Sequence, residues 1–485
     1  MTKQAANLIY AVRFSVLMKY FGQLCLVVAT LTLVPLAVSL ICVETRITLR
    51  YAIVIVALAG VGGLLGRMRA PAEVQVNEAM VIVAFMFLFT PLVMTFPVMG
   101  SGLTFPDALF ETISAATTTG LSTLKNLQDQ PQTFLFARAW MQWYGGLGIV
   151  VLSLALLFRP GAETKQFAVT EAKEEDLVGG TKAHARRVLI VYTVLSMAGF
   201  LVLLVLGNRP FNAMLYALAA VSTGGFAPHD ASLAALSGPF VDFCVILICL
   251  TGAVPLSFYH RLCKKDSRPN SDILQLRWIV YMGVLVSLLL GISMVTSEKA
   301  EWTQALHHAP VIAFSAQTTA GFSTMDLSQL SASSKLLLII SMAIGGGIGS
   351  TAGGIKIFRL LIVIHLLWIL LRKVCASMHA VIKPRLAGRR MEETEIQEAL
   401  IIILLFVTIT LFSWLPFLFM GYNPMNSLFE VVSAMATVGL SVGVVSSEMP
   451  NLLKGILCIN MLLGRLEILA WLVMVYPRTW IGRRL

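Results

Sequence analysis

Runs of about twenty apolar residues recur along nearly the whole chain, and a soluble core has no room for so many of them. Leu26–Cys42, Tyr51–Leu65, Ala79–Phe96, Ile401–Phe419 and Ile456–Val475 are examples. A helix of about 20 residues spans the roughly 30 Å hydrocarbon core of a bilayer. The runs lack both the period of two of a half-buried strand and the period of about 3.6 of a surface helix. Only 13% of residues are charged and mean hydropathy is +0.83, whereas soluble domains carry roughly a quarter charged residues. These features exclude an ordinary soluble protein and predict an all-α polytopic membrane protein.

Ten spans follow from the runs. Two come first, at 21–42 and 51–66. Eight follow in four pairs: 78–97 with 134–158, 187–206 with 239–260, 274–296 with 335–371, and 396–420 with 452–476. Lys3, Arg13 and Lys19 precede the first run as in a signal peptide, but its length and the later spans favour an uncleaved helix. Of the 36 Lys and Arg, 27 fall in the N-terminus, Arg67–Arg69, Arg159–Arg187, Arg261–Arg277, Lys356–Arg390 and Arg478–Arg484. That alternation is the positive-inside bias, and it places both termini and these segments in the cytoplasm. It explains the net charge of +11 without nucleic acid. The seven cysteines lie mostly inside apolar runs with no CxxC spacing, as small buried hydrophobes do.

Between the helices of each pair lies a segment too short and polar to cross. Pro106 to Leu121 and Pro424 to Leu440 match closely, with Leu-Phe-Glu and Ser-Ala at the same offsets. Glu111 and Glu430 each precede a glycine, Gly120 and Gly439, by nine residues. Phe211–Phe226 and Ala309–Phe322 keep the length and drop the acid. Each segment ends in Thr-x-Gly followed by Phe or Leu: Thr118-Thr119-Gly120, Thr223-Gly224-Gly225, Thr319-Ala320-Gly321 and Thr437-Val438-Gly439. Irregular backbone at membrane depth is tolerated only when buried in protein or lining a wet cavity. Glycine adopts positive φ without steric cost, so carbonyls can be aimed at one axis as in a cation filter. Threonine adds a hydroxyl, and the short helices point their negative C-terminal ends at the cavity. Glu111 and Glu430 would support the filter from behind. The blander reading is four small-residue loops packing helix ends.

Six glycines in ten residues, Gly345, Gly346, Gly347, Gly349, Gly353 and Gly354, break the long 335–371 segment just before Lys356. Gly349 and Gly354 have P-loop spacing, but Ile355 stands where the lysine belongs and no strand precedes. A membrane-depth loop or a passive kink remains. Arg465 sits inside an apolar run, where it is costly without a partner. It reads either as an electrostatic element under the filter or as a structural pin; Glu467 falls on another helix face. His229 and Asp230 follow the second segment, fitting a vestibule or a loop hydrogen bond. Adjacent His307 and His308 suit neither a metal pair nor a catalytic one, and no enzyme motif appears.

The four segments, with Gln142–Ile149, Gly225–Asp230, Gly345–Lys356 and Leu463–Ile468, resemble the Trk/Ktr/HKT superfamily over essentially the whole chain, most closely the bacterial TrkH/TrkG type. The resemblance implies a bacterial inner-membrane potassium-uptake subunit: four pore-loop repeats around a single pore, plus two extra N-terminal helices. The divisions are 1–70, 71–180, 181–268, 269–390 and 391–485. It implies potassium at the filter residues, no covalent cofactor, and a gate formed by the Gly345–Gly354 loop with Lys356 and Arg465. It also implies a homodimer and a TrkA-like cytosolic subunit that binds the nucleotide. A sodium-conducting or sodium-coupled transporter of the same fold is the alternative; the glycine at position 120 argues for potassium. An alternating-access carrier would predict inverted repeats, whereas these run in one direction with one broken helix.

Overall fold

The computed structural model describes residues 11–71, 74–157, 177–236, 238–264, 271–375, 385–466 and 468–481. The basic segments at 159–176, 265–270 and 376–384, together with Lys3, Glu467 and Arg483–Arg484, lie outside them. Among the described residues two helices come first, α1 (Phe14–Ile41) and α2 (Thr45–Leu65). A pattern of long, short and long helix then occurs four times. The first group is α3 (Val76–Val98), α4 (Phe105–Ala116) and α5 (Gln132–Leu157). The second is α6 (Leu177–Val205), α7 (Pro210–Val221), α8 (Pro239–Ala253) and α9 (Leu256–Lys264). The third is α10 (Ser271–Ser297), α11 (Trp302–Gln317), α12 (Ala332–Ile344) and α13 (Ile357–Cys375). The fourth is α14 (Glu393–Phe419), α15 (Pro424–Met435), α16 (Asn451–Arg465) and α17 (Leu469–Val475). A hairpin of two-residue strands, β1 (Arg385–Leu386) and β2 (Arg389–Arg390), pairs Arg385 with Arg390 between the last two groups.

Among the described residues, α1, α2, α3, α6, α10 and α14 are each long and apolar enough to cross a bilayer. Their outward faces expose Val56, Leu92, Val194, Leu288, Leu404 and Phe412, as expected where lipid replaces water. The closing helices differ from the expected pattern of one broken span, because three of them are broken. Pro255 cannot donate a backbone hydrogen bond and forces Val254 to ψ 143°, ending α8 before α9. The glycine stretch separates α12 from α13. The chain bends by 108° between α16 and α17, with Ile468 at φ 62°. Arg465 therefore lies in the last turn of a helix, not at the centre of a continuous span. There its charge faces the negative end of the helix dipole.

The short helices are buried on nearly all sides. Pro106, Pro210 and Pro424 stand in the first turns of α4, α7 and α15, where a missing N–H costs nothing. The Asn423 side chain caps α15 by accepting the N–H groups of Met425 and Asn426. The first and last described stretches meet: the Val12 N–H donates to the Thr479 carbonyl at 2.9 Å. Arg13 grips Glu78 through Nε at 2.8 Å and Nη2 at 2.9 Å.

Candidate functional site

Each short helix ends in the same cap. The Thr118 N–H returns to the Ala115 carbonyl and the Thr119 N–H to that of Ser114, at 3.0 and 2.9 Å. The pairs Thr223–Ala220 and Gly224–Ala219, Thr319–Ala316 and Ala320–Ser315, and Thr437–Ala434 and Val438–Ser433 repeat the pattern. This double return is a Schellman motif, whose left-handed position usually holds glycine. Here it holds threonine, at φ 52°, 51°, 54° and 50°. A β-branched residue pays roughly 1–3 kcal/mol for such a conformation, and strain of this kind collects at ligand sites. Two residues on, Gly120, Gly225, Gly321 and Gly439 are also left-handed, at φ 89°, 78°, 75° and 93°.

The four segments close into a ring. A β-carbon at Gly120 would overlap the Gly224 carbonyl oxygen, and one at Gly225 would overlap that of Ala320. At Gly321 it would meet the Val438 oxygen, and at Gly439 that of Thr119. Each glycine thus abuts the middle residue of the next segment, and the fourth returns to the first. Polar contacts bridge the same four junctions farther out. The Asp230 carboxylate accepts the Leu127 N–H at 3.0 Å, and Asp242 lies 3.2 Å from His307. Lys335 donates to Asn426 at 3.0 Å, and Lys454 to Asp107 at 2.6 Å. Asp230 is thus a loop partner, and His229 likewise contacts Asn212 at 3.1 Å.

Glu111 lies behind the first segment, its Oε1 accepting the Ser122 hydroxyl at 2.7 Å and the Thr123 N–H at 2.9 Å. Glu430 makes the same pair with Ser441 and Val442 at 2.7 and 2.9 Å. Glu430 also accepts the Val444 N–H at 3.3 Å, whereas Glu111 Oε2 is 3.1 Å from buried Arg138, whose guanidinium also lies 3.7 Å from the Phe226 ring centre. Burial of a charge requires such a partner. Ser114 and Ser433 accept the N–H groups of Gly120 and Gly439, each at 3.1 Å.

The glycine-rich loop lies directly against the threonine end of the ring. The Gly353 N–H donates to the Thr319 hydroxyl at 2.8 Å, and the hydroxyls of Thr223 and Thr351 are 3.3 Å apart. A β-carbon at Gly353 would overlap Ala436 O and Thr437 Oγ1. The loop is tied to the α8–α9 break, with the Gly347 N–H on Ala253 O and the Leu256 N–H on Gly349 O at 3.0 and 3.2 Å. Arg465 Nη1 donates to the Thr351 carbonyl at 2.6 Å and Nη2 to that of Gly145 at 3.3 Å. Lys356, buried and at φ 77°, donates back to the Ala352 carbonyl. Gly345, Gly346, Gly347 and Gly354 are enclosed by neighbouring backbone and side chains, whereas a β-carbon at Gly349 would meet open space. The hydroxyls of Thr118 and Thr437 are buried without a hydrogen-bond partner. They leave two oxygen atoms with free lone pairs at the threonine end of the ring.

Two supports were not found by sequence reasoning, the Arg138–Glu111 pair and Gln142, which bonds the second segment. Arg138 and Gln142 both lie on α5, and an arginine about one turn from a glutamine in an apolar run was the available signal. Among the described residues no group of three or more His, Cys, Asp or Glu is placed to hold a metal.

A family profile described as TrkH, cation transport protein, matches residues 44–479. An uncharacterized cation transporter of Methanocaldococcus jannaschii is 29% identical over 459 residues, 93% of each chain. The Trk system potassium uptake protein TrkH of Escherichia coli is 29% identical over 393 residues, 78% of this chain and 80% of its own. The crystal structure of the potassium transporter TrkH from Vibrio parahaemolyticus shares the fold, with a TM-score of 0.84 at 22% identity. The match covers 97% of this chain and 100% of that one.

Proposed function

The chain belongs to the TrkH family of cation transport proteins, and from that premise we propose that it takes up potassium through the ring of Thr-x-Gly segments. The observation that carries this reading is the ring itself, in which each filter glycine abuts the next segment's carbonyl and the fourth returns to the first. Backbone oxygens then replace the hydration shell of the ion. The unpartnered hydroxyls of Thr118 and Thr437 support an ion at the inner end. The loop from Gly345 to Gly354, held by Arg465 and Lys356, is the gate in this reading, supported by its contacts with Thr223 and Thr319 of the ring and by the two cationic side chains bonded to it.

The meeting of Val12 with Thr479 supports placing both termini on one side, and the positive-inside bias makes that side cytoplasmic. The resemblance to the TrkH/TrkG type extends this reading to a bacterial inner-membrane location and a homodimer. The relatives named as Trk system proteins fit a multi-component system, and the same resemblance makes the regulator a TrkA-like nucleotide-binding subunit docked on the basic cytoplasmic segments.

Flux of K⁺, Rb⁺ and Na⁺ into liposomes holding the purified chain tests the filter, with Gly120→Ser alongside. K⁺ and Rb⁺ are expected to exceed Na⁺ in the parent, with the preference reduced in the variant because its β-carbon meets the Gly224 oxygen. Equal relative permeability in the two proteins would contradict a four-segment filter. A pull-down from native membranes that recovers no nucleotide-binding protein under any nucleotide condition would remove the partner.

A further inference from the structure

The second segment lacks the internal supports of the first and fourth. Nine residues before its glycine stands Tyr216, not glutamate, and six before stands Ala219, not serine. The Tyr216 hydroxyl donates elsewhere, to the Ser232 carbonyl at 2.8 Å. Its middle residue is Gly224, whereas the other segments carry the buried side chains of Thr119, Ala320 and Val438 there. A β-carbon at Gly224 would overlap Cδ, Oε1 and Nε2 of Gln142, so a side chain from α5 fills the place of the missing one. Gln142 is fully buried. Its Oε1 accepts the Phe226 N–H at 3.2 Å, which fixes the amide so that Nε2 donates to the Gly224 carbonyl. That carbonyl is the one Gly120 abuts.

We propose that Gln142 is a positioning residue for ion discrimination, setting the Gly224–Gly225 peptide from the neighbouring repeat. The inference rests on reading the ring as the ion filter. Two successive glycines leave this peptide the least restrained of the four. Gln142 spans Gly225, donating to the Gly224 carbonyl before it and accepting the Phe226 N–H after it. This side-chain clamp is made with other backbone groups than those of Ser114, which accepts the Gly120 N–H and donates to the Leu121 carbonyl. Without Gln142 the peptide is free to rotate, and one quarter of the oxygen cage no longer keeps a fixed size.

The test is the K⁺/Na⁺ flux ratio of the purified full chain in liposomes, for the parent, Gln142→Met, Gln142→Ala, Gln142→Ala with Gly224→Ala, and Gly120→Ser. Gln142→Met keeps the volume and loses both hydrogen bonds. It is expected to elute and melt like the parent while its flux ratio falls about tenfold, the size of one lost buried hydrogen bond. Gln142→Ala is expected to fall at least as far. Adding Gly224→Ala restores most of the ratio, because the new methyl group occupies the vacated space and restricts the backbone. A well-folded Gln142→Met with the parental ratio would overturn the proposal, as would a double variant no better than Gln142→Ala. If those results came with a ratio sensitive to Gly120→Ser, only the role of Gln142 would fall. If Gly120→Ser also left the ratio unchanged, the filter reading itself would fall.

Discussion

Replacing Arg465 with alanine tests whether its guanidinium holds the loop shut. The side chain is buried and its shorter contact, 2.6 Å to the Thr351 carbonyl, reaches the loop one residue from Ala352, the acceptor of Lys356. Its longer contact, 3.3 Å to Gly145, anchors it to α5, which does not belong to the loop. Only the first contact breaks if the loop withdraws. A hydrogen bond from a charged donor is worth roughly 1.5–3 kcal/mol, so its loss shifts the closed-to-open ratio by about 2 kcal/mol, or about thirtyfold. Removing the positive charge from beneath the ring lowers the barrier to a cation in the same direction. Arg465→Ala in liposomes without any partner subunit is therefore expected to show Rb⁺ uptake well above the parent, approaching that factor if the parent rests almost fully closed. Arg465→Lys, which keeps the charge with fewer donors, falls between. A variant that melts like the parent, conducts no faster and responds unchanged to activation would make Arg465 a packing pin.

Three further outcomes follow from the same geometry. Removing Gly346 to Gly353 raises basal Rb⁺ flux, because the residues touching Thr223 and Thr319 are gone; unchanged flux in a folded variant places the barrier elsewhere. Gly464→Ala lowers the thermal midpoint in detergent, since its β-carbon would overlap the Met435 carbonyl where α16 crosses the end of α15, and such overpacking costs about 1–3 kcal/mol. Glu111→Ala destabilises more than Glu430→Ala in the same melt, because it strands the buried Arg138, a loss of about 3–5 kcal/mol; equal midpoints would mean that the pair is not formed.

The span pattern and the four segments were legible because they rest on chemistry the chain repeats. Apolar length, Thr-x-Gly, and the offset from Glu111 to Gly120 and from Glu430 to Gly439 are local properties. The glycine-rich break was legible for the same reason, as no continuous helix tolerates six glycines in ten residues. The end of α8 was signalled by Pro255 but hidden by the apolar residues around it. The bend after Arg465 had no comparable signal, since Ile468 is a β-branched residue at positive φ, a conformation imposed by tertiary contacts. The left-handed threonines were illegible on the same ground. Propensity argues against them, and only the ring shows why they are held. Gln142 supports a segment 82 residues away, and a reading that treats each repeat on its own cannot find a support borrowed from its neighbour. Arg138 and Glu111 belong to one repeat, yet their pairing depends on how α4 lies against α5, which spacing alone does not set.

The most direct test of the ring is where the ion sits. Crystals of the full chain grown in rubidium in place of potassium would locate it by anomalous scattering. A four-segment filter requires ordered peaks on one axis, inside the ring bounded by Gly120, Gly225, Gly321 and Gly439, with the innermost near the hydroxyls of Thr118 and Thr437. Rubidium bound only outside that ring, with the axis empty, would contradict it.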